Sequence, residues 1–308
     1  MHDIIIIGAG PAGLTAAVYA RRAGKTVLLI EKEAFGGQIT LSPRVENYPF
    51  AKPMSGSELA DVLVNQVMDL GAEVEVDAVT AVTENGDHTF TVTTAYSSFS
   101  ARAIIIATGL KHRRLGVPGE DRFIGRGISF CAVCDGSLFK DKAVAVVGGG
   151  NTAVQDAIYL SKLAKTVFLV HRRSEFRAEK RVTEGLSACP NVELVLDSVP
   201  VAVEGESELT ALRVKNKLSG EERSLPVDGV FVAIGQEPNN SAFTGLVDLD
   251  PAGFIIAGES CRTGNPGVFV AGDCRTKAVR QLVTAGADGG VAAIAACEYV
   301  DEISAKAV

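Results

Sequence analysis

The sequence has no second Cys-x-x-Cys and no close histidine pair to set beside Cys131-Ala132-Val133-Cys134. A closed zinc site needs four such ligands, so its absence leaves that tetrapeptide as a redox pair or as two buried structural cysteines. The other cysteines, Cys189, Cys261, Cys274 and Cys297, stand singly, without the dense spacing of a secreted disulfide scaffold. That usage suits the cytoplasm, a reducing compartment in which only a catalytic pair oxidises. Positive charge is not in excess either: 30 Lys and Arg against 37 Asp and Glu give a net charge of −7. A general nucleic-acid binder, which needs a basic surface to displace counterions, is excluded. No apolar run reaches about eighteen residues, so no membrane span is expected. Met1-His2-Asp3 runs straight into Ile4–Ile7 and glycines, without the charged start, apolar core and cleavage site of a secretory leader. What is present is 308 residues, 47% apolar and 22% charged, enough for two globular domains.

The first thirty residues alternate strand and helix signals. Asp3–Ile7 is a β-branched run, Gly8-Ala9-Gly10-Pro11-Ala12-Gly13 is a Gly-x-Gly-x-x-Gly, and Leu14–Ala23 has helical composition. Lys25–Ile30 is a second apolar run, ending in Glu31-Lys32. This is a βαβ unit for a dinucleotide: glycines let the backbone approach, a helix N-terminus faces a pyrophosphate, and Glu31 is placed to accept from ribose hydroxyls.

The unit recurs without a gap, Gly8 falling on Gly148, Gly10 on Gly150 and Gly13 on Ala153, within Gly148-Gly149-Gly150-Asn151-Thr152-Ala153. Two dinucleotide sites are therefore expected. Where the first copy has Glu31-Lys32-Glu33, the second has His171-Arg172-Arg173, with Arg177 close behind. A carboxylate suits a free 2′-hydroxyl, whereas guanidinium groups pair with a 2′-phosphate, so the second site is expected to take NADPH rather than NADH.

Between the copies come a helix, Ser57–Gly71, and alternating segments Glu73–Val82 and His88–Thr94 around the turn signal Asn85-Gly86. Ala103–Ala107 is then an apolar strand closed by Thr108-Gly109. A similar meander is expected after the second copy, at Val192–Asp197, Ala211–Lys217 and Val230–Ile234, closed by Gly235. Gly116–Gly127, with Pro118 and four glycines, reads as a linker, and Gln236–Gly245 as a second. Finally Val268–Ala271 is a short strand closed by Gly272-Asp273, followed by an Ala- and Gly-rich helix, Gln281–Val300. A carboxylate at Asp273 can hold a ribityl hydroxyl, and a helix N-terminus near Gln281 can stabilise charge on a reduced flavin.

Taken with Gly36-Gly37-Gln38, Val45-Glu46-Asn47-Tyr48-Pro49, Ala107-Thr108-Gly109, Cys131–Gly136 and Ala271-Gly272-Asp273 with Arg280-Gln281, these motifs carry a family likeness. The chain resembles the low-molecular-weight thioredoxin reductases of bacteria, within the pyridine nucleotide–disulfide oxidoreductases, from Asp3 to about Val300. A Cys-x-x-Cys-Asp-Gly just before the NADPH-type fingerprint marks this group; the glutathione reductase branch keeps its pair near the chain start. Phe50-Ala51 stands where the family often has a glycine, and Ala153 where a fingerprint often ends in one. The resemblance implies an α/β fold of two Rossmann-like, three-layer ββα domains, FAD in 1–113 and 242–308 and NADPH in the inserted 114–241. It places Gly8–Gly13 and Glu31 at the ADP half of FAD, Gly36, Gly37, Gln38 and Asn47 near the flavin, and Asp273 with Arg280, Gln281 and Leu282 to complete that site. It makes Cys134 the flavin-facing cysteine, Cys131 the attacker of a substrate disulfide and Asp135 a proton donor and acceptor; otherwise Asp135 reads as a helix N-cap. It further implies a homodimer, thioredoxin as partner, and rotation of the NADPH domain on the two linkers, with Gly125 and Gly127 as hinge candidates.

Competing readings are a related flavoprotein reductase and a non-catalytic redox sensor. A hydroperoxide-type reductase is expected to carry an extra N-terminal region, and a ferredoxin-fed one would have little use for His171-Arg172-Arg173.

Overall fold

The computed structural model describes residues 1–49 and 51–306, so Phe50 lies outside the described residues. The chain divides into two compact units: Met1–Thr40, Tyr48–Lys111 and Glu237–Val308 form the first, Leu41–Asn47 and His112–Gln236 the second. Among the described residues no helix is long and apolar enough to cross a membrane, and no group of three His, Cys, Asp or Glu side chains is placed to hold a metal.

The first unit is built on β1 (His2–Ile7), α1 (Pro11–Arg22), β2 (Val27–Glu31), α2 (Gly56–Asp69) and β3 (Glu73–Val76). β4 (Val79–Glu84), β5 (Phe90–Thr94) and β6 (Ser98–Ile106) follow. Its strands form one sheet, ordered β3-β2-β1-β6-β5-β4. β1 pairs in parallel with β2 and β6, Ile4 lying opposite Val27 and Ala103. The unbroken isoleucine run has a physical cause, since both sheet faces are covered. Ile4 and Ile6 face the side where α1 packs, and Ile5 and Ile7 pack with Phe243, Val247 and Ile255 on the other. The segment Glu73–Val82, expected as one stretch, is two strands. β3 joins the parallel sheet beside β2, Asp77 turns the chain by accepting from Ala78 and Tyr96 amides, and β4 pairs antiparallel with β5.

The chain enters the second unit within the short strand β7 (Leu110–His112), and α3 (Glu120–Phe123), β8 (Ile128–Ser129), α4 (Ala132–Asp135), β9 (Ala143–Val147) and α5 (Asn151–Leu160) follow. β10 (Thr166–Val170), α6 (Lys180–Thr183) and β11 (Val192–Val195) lead to β12 (Ser198–Gly205), β13 (Leu209–Asn216), β14 (Glu222–Pro226) and β15 (Gly229–Val232). A parallel sheet, β11-β10-β9-β15-β8, carries α5 on one face and the separate antiparallel sheet β12-β13-β14 on the other. The expected meander is corrected accordingly. Val192–Asp197 and Val230–Ile234 supply parallel strands, and the meander's outer members, β12 and β14, were not foreseen. β12 begins only after Asp197, whose positive φ of 49° breaks the run, and β14 shows mostly polar, exposed residues.

The first linker is corrected too. The chain passes between units at Lys111–His112, and within Gly116–Gly127 Glu120 folds back, its carboxylate accepting from the Leu115 and Gly116 amides at 2.8 Å. Gly125 and Gly127 have φ of 70° and 129°, and a Cβ on Gly125 would lie 2.6 Å from the Leu41 carbonyl oxygen. Proline, fixed near −65°, would distort the local fold there and tests no hinge. The second crossing, Gln236–Glu237, falls in β16 (Gln236–Pro238). The first unit then resumes with β17 (Val268–Val270), parallel to β6, and α7 (Leu282–Lys306), packed on α1. Gly289 permits that packing, since a Cβ there would lie 2.2 Å from the Ala12 carbonyl oxygen.

Candidate active site and nucleotide cradles

Cys131 and Cys134 are joined by a disulfide at the start of α4, with Cα atoms 5.3 Å apart. Cys131 is the N-cap, and its Sγ accepts the Cys134 amide at 3.2 Å. Once the pair is reduced, that amide stabilises a Cys131 thiolate. Asp135 does not cap a helix with its side chain, against one of its two readings. Its Oδ2 accepts from Ser129 Oγ at 2.6 Å and its Oδ1 from Ser42 Oγ at 3.3 Å. Burial pushes its carboxyl above the ordinary carboxylate range, and the two hydroxyls pull it part of the way back. The site therefore holds a disulfide and, next in sequence, a carboxyl able to bind a proton.

In the first unit's fingerprint, Cβ atoms on Gly8 and Gly13 would meet backbone oxygens of Ala107 and Gly8 at 2.4 and 1.8 Å, so close approach demands both glycines. Gly10 has nothing within 4 Å of where its Cβ would be, leaving clear the face on which a pyrophosphate would sit. Glu31 is buried, and its carboxylate accepts from the Ala9 amide at 2.8 Å and the Glu33 amide at 3.0 Å, so it also holds the glycine loop. Glu31, Lys32, Asp77 and Thr108 line a cleft of about 390 Å³ beside Gly8. Thr108 donates to Asn240, which in turn donates to the Gly253 and Cys274 carbonyls.

Among the described residues, Asp273 Oδ1 is the one buried side-chain nitrogen or oxygen without a hydrogen-bond partner. Burial pushes this carboxyl up, with Lys277 and Arg280 opposing. Such an orphan is costly unless a ligand supplies a donor, as a polyol chain does. Arg280 lies 4.3 Å from the Phe254 ring centroid and donates to the Asp273 and Arg275 carbonyls. The Gln281 amide bonds Thr284 Oγ just before α7 begins at Leu282. Gly37 and Gln38 start a 3-10 turn, and the Gly36 amide donates to the Ala9 carbonyl. Asn47 belongs to the segment that clusters with the second unit. Cys274 is fully buried, and burial pushes its thiol up to about 11, which fits a small buried residue.

In the second unit, Gly148 and Gly150 reproduce the crowded and the open glycine. Asn151 and Glu179 bond each other through two contacts, at 2.8 and 3.0 Å, and Gly235 has φ of 110° where β15 ends. Arg172, Arg173 and Arg177 line a cavity of about 480 Å³ together with Asp197 and Lys217. His171, expected among them, is instead buried: its ring stacks on Phe176 and fills the space a side chain on Gly149 would need. Burial holds its imidazole below the usual histidine range.

Sequence reasoning missed Ser129, Ser42, Asp197 and Lys217. A lone hydroxyl in the otherwise apolar strand before Cys131 could have signalled Ser129. Lys217 had no signal, because its place follows from a meander whose outer strands were not recognised.

Against known proteins, a family model described as pyridine nucleotide-disulphide oxidoreductase matches residues 2–289. The chain is 41% identical over 306 residues to thioredoxin reductase of Treponema pallidum, covering 98% of each. It is 41% identical over 304 residues to thioredoxin reductase of Listeria monocytogenes, covering 98% of this chain and 95% of the relative. The crystal structure of thioredoxin reductase from Streptococcus pyogenes superimposes with a TM-score of 0.94 at 39% identity, covering 98% of this chain and 99% of that one.

Proposed function

The chain belongs to the pyridine nucleotide–disulphide oxidoreductase family, and from that premise we propose that it is a thioredoxin-disulfide reductase using NADPH and FAD. The observation that carries the reading is the Cys131–Cys134 disulfide in the same unit as a fingerprint followed by Arg172, Arg173 and Arg177. FAD belongs to residues 1–113 and 242–308, where Gly10 leaves a face open, Glu31 lines the cleft and Asp273 offers an unpartnered oxygen. NADPH belongs to 114–241, with Gly150 under the pyrophosphate and the arginines on the 2′-phosphate.

Bound in that cleft, FAD would supply the two-electron chemistry that links NADPH to the disulfide. The protein's own groups do the rest. Breaking the Cys131–Cys134 bond leaves two thiolates, and Asp135 gives a proton to one. The Cys131 thiolate attacks the substrate disulfide, releasing one substrate sulfur and forming a mixed disulfide. Cys134, its proton returned to Asp135, then attacks Cys131 Sγ as a thiolate, which expels the second substrate sulfur and restores the internal disulfide.

A homodimer is part of this reading. Val283, Val291 and Ile294 are exposed on one face of α7, and a second copy is the occupant we assign to that stripe. We place the enzyme in the cytoplasm, on the strength of four free cysteines beside one disulfide pair.

Stopped-flow absorbance of the flavin-loaded protein tests the whole path. NADPH is expected to bleach the flavin quickly and NADH slowly, with reoxidation on adding thioredoxin. Failure of NADPH to bleach it would overturn the assignment of the second fingerprint. Bleaching without reoxidation would move the search to another disulfide partner.

A further inference from the structure

Ser129 sits on β8, beside β15, where Phe231 is its parallel partner. It is 6% exposed, so an unpaired hydroxyl there would be costly. The hydroxyl is paired on both sides. Its oxygen accepts the Cys131 amide at 3.1 Å, and its single proton goes to Asp135 Oδ2 at 2.6 Å, a separation typical of a charge-assisted bond. One further acceptor is in reach, the Cys131 carbonyl oxygen, 3.4 Å from Ser129 Oγ. On the other carboxylate oxygen, Ser42 likewise has two acceptors, Asp135 Oδ1 at 3.3 Å and the Arg44 carbonyl at 3.1 Å.

From this geometry we infer that Ser129 is a positioning residue for the acid–base step at the redox disulfide. Its hydroxyl holds ionised Asp135 against the Cys131 backbone and turns to the Cys131 carbonyl when Asp135 takes up a proton. The inference rests on the reading of Asp135 as the proton carrier. The turn is needed because a proton on Oδ2 would otherwise face the hydroxyl proton. Atoms and electrons balance: two electrons, supplied by NADPH in the proposed activity, break the sulfur–sulfur bond, and one proton passes from Asp135 to one of the two thiolates. Ser129 then swings back to the carboxylate, and reoxidation by the substrate disulfide reverses both movements.

Few other groups compete for control. Burial, Ser129 and Ser42 account for the proton affinity of Asp135, with no charged side chain contributing. Its own element carries Cys131 and Cys134, and α5, which packs on α4, carries Tyr159 and Asp156, whose carboxyl burial pushes up to about 6. From the Leu41–Asn47 segment come Arg44 and Glu46, which pair with each other at 2.6 Å. A hydroxyl bonded to the ionised form lowers a carboxyl's pKa, so removing Ser129 raises that of Asp135.

The test is a pH titration of the protonated-carboxyl infrared band in the oxidised holoenzyme, assigned by its loss in Asp135→Asn, beside the pH profile of turnover. Ser129→Ala is expected to move the band's titration and the high-pH fall in turnover to higher pH, with about tenfold lower turnover. Ser129→Thr should restore both, and Ser42→Ala should shift them in the same direction by less. Coincident titrations in Ser129→Ala and the unsubstituted protein would overturn the proposal, as would a shift in Ser42→Ala at least as large. An Asp135→Asn enzyme that keeps the original pH profile would instead overturn the role of Asp135 itself.

Discussion

Glu31 and His171 occupy equivalent positions in the two βαβ units, and each touches the second residue of its own glycine loop. Glu31 accepts the Ala9 amide, and the His171 ring fills the space beside Gly149. In the first copy one carboxylate thus both holds the loop and lines the cleft. In the second copy the tasks are divided: His171 packs, and Arg172, Arg173 and Arg177 reach the cavity. Lys217 adds a fourth cation from the turn after β13, carried there by backbone bonds from Lys217 to Asp197 and from Asp197 to Arg173. Lys217→Ala is expected to raise the KM for NADPH about threefold to fivefold, the scale of an exposed charge pair, and to leave that for NADH unchanged. Steady-state kinetics with both coenzymes decides it. Equal effects on the two would remove Lys217 from the phosphate pocket.

Among the elements, the contact of α7 with α1 depends most on particular residue types. Gly289 faces the Ala12 carbonyl so closely that even a methyl group would meet backbone, and Ala292, Ala293 and Ala296 continue a buried face of small side chains. Gly289→Ala is expected to cost about 1–3 kcal/mol through overpacking, despite the better helix propensity of alanine. A lowered urea midpoint with unchanged slope would show it. The same scale explains what could be read in advance. Both glycine fingerprints and their strands were legible, because each strand has an apolar run of at least four residues and each loop needs glycine for contact. β12 and β14 were not: β12 follows β11 with only Leu196 and Asp197 between, and β14 lacks an apolar alternation. The division of Glu73–Val82 was hidden for a similar reason. Asp77 turns the chain through side-chain bonds to amides, which composition alone does not reveal.

For the whole molecule, the apolar face of α7 makes the assembly testable. Ile294→Glu is expected to convert a dimer to a monomer in sedimentation velocity while the protein keeps its yellow colour, since Ile294 faces outward rather than into the core. A dimer that survives this charge would require a different interface. The duplicated plan was visible from the repeat of Gly8 at Gly148. What was not visible is that Gly116–Gly127, which looks like a linker, is folded into the second unit.

Completion of the first unit by β17 and α7 has a consequence for biosynthesis. On the ribosome, β1 to β6 emerge early, yet the flank of β6 at Ile104–Ile106 gains its partner only when Val268–Val270 is made. Roughly 160 residues must be translated in between, which takes about 10–30 s at ordinary rates of synthesis. The second unit, continuous from His112 to Gln236 apart from one short earlier segment, is synthesised within that interval. During it the nascent chain carries an uncovered helix face on α1 and an open strand flank, a window in which chaperones would find their substrate.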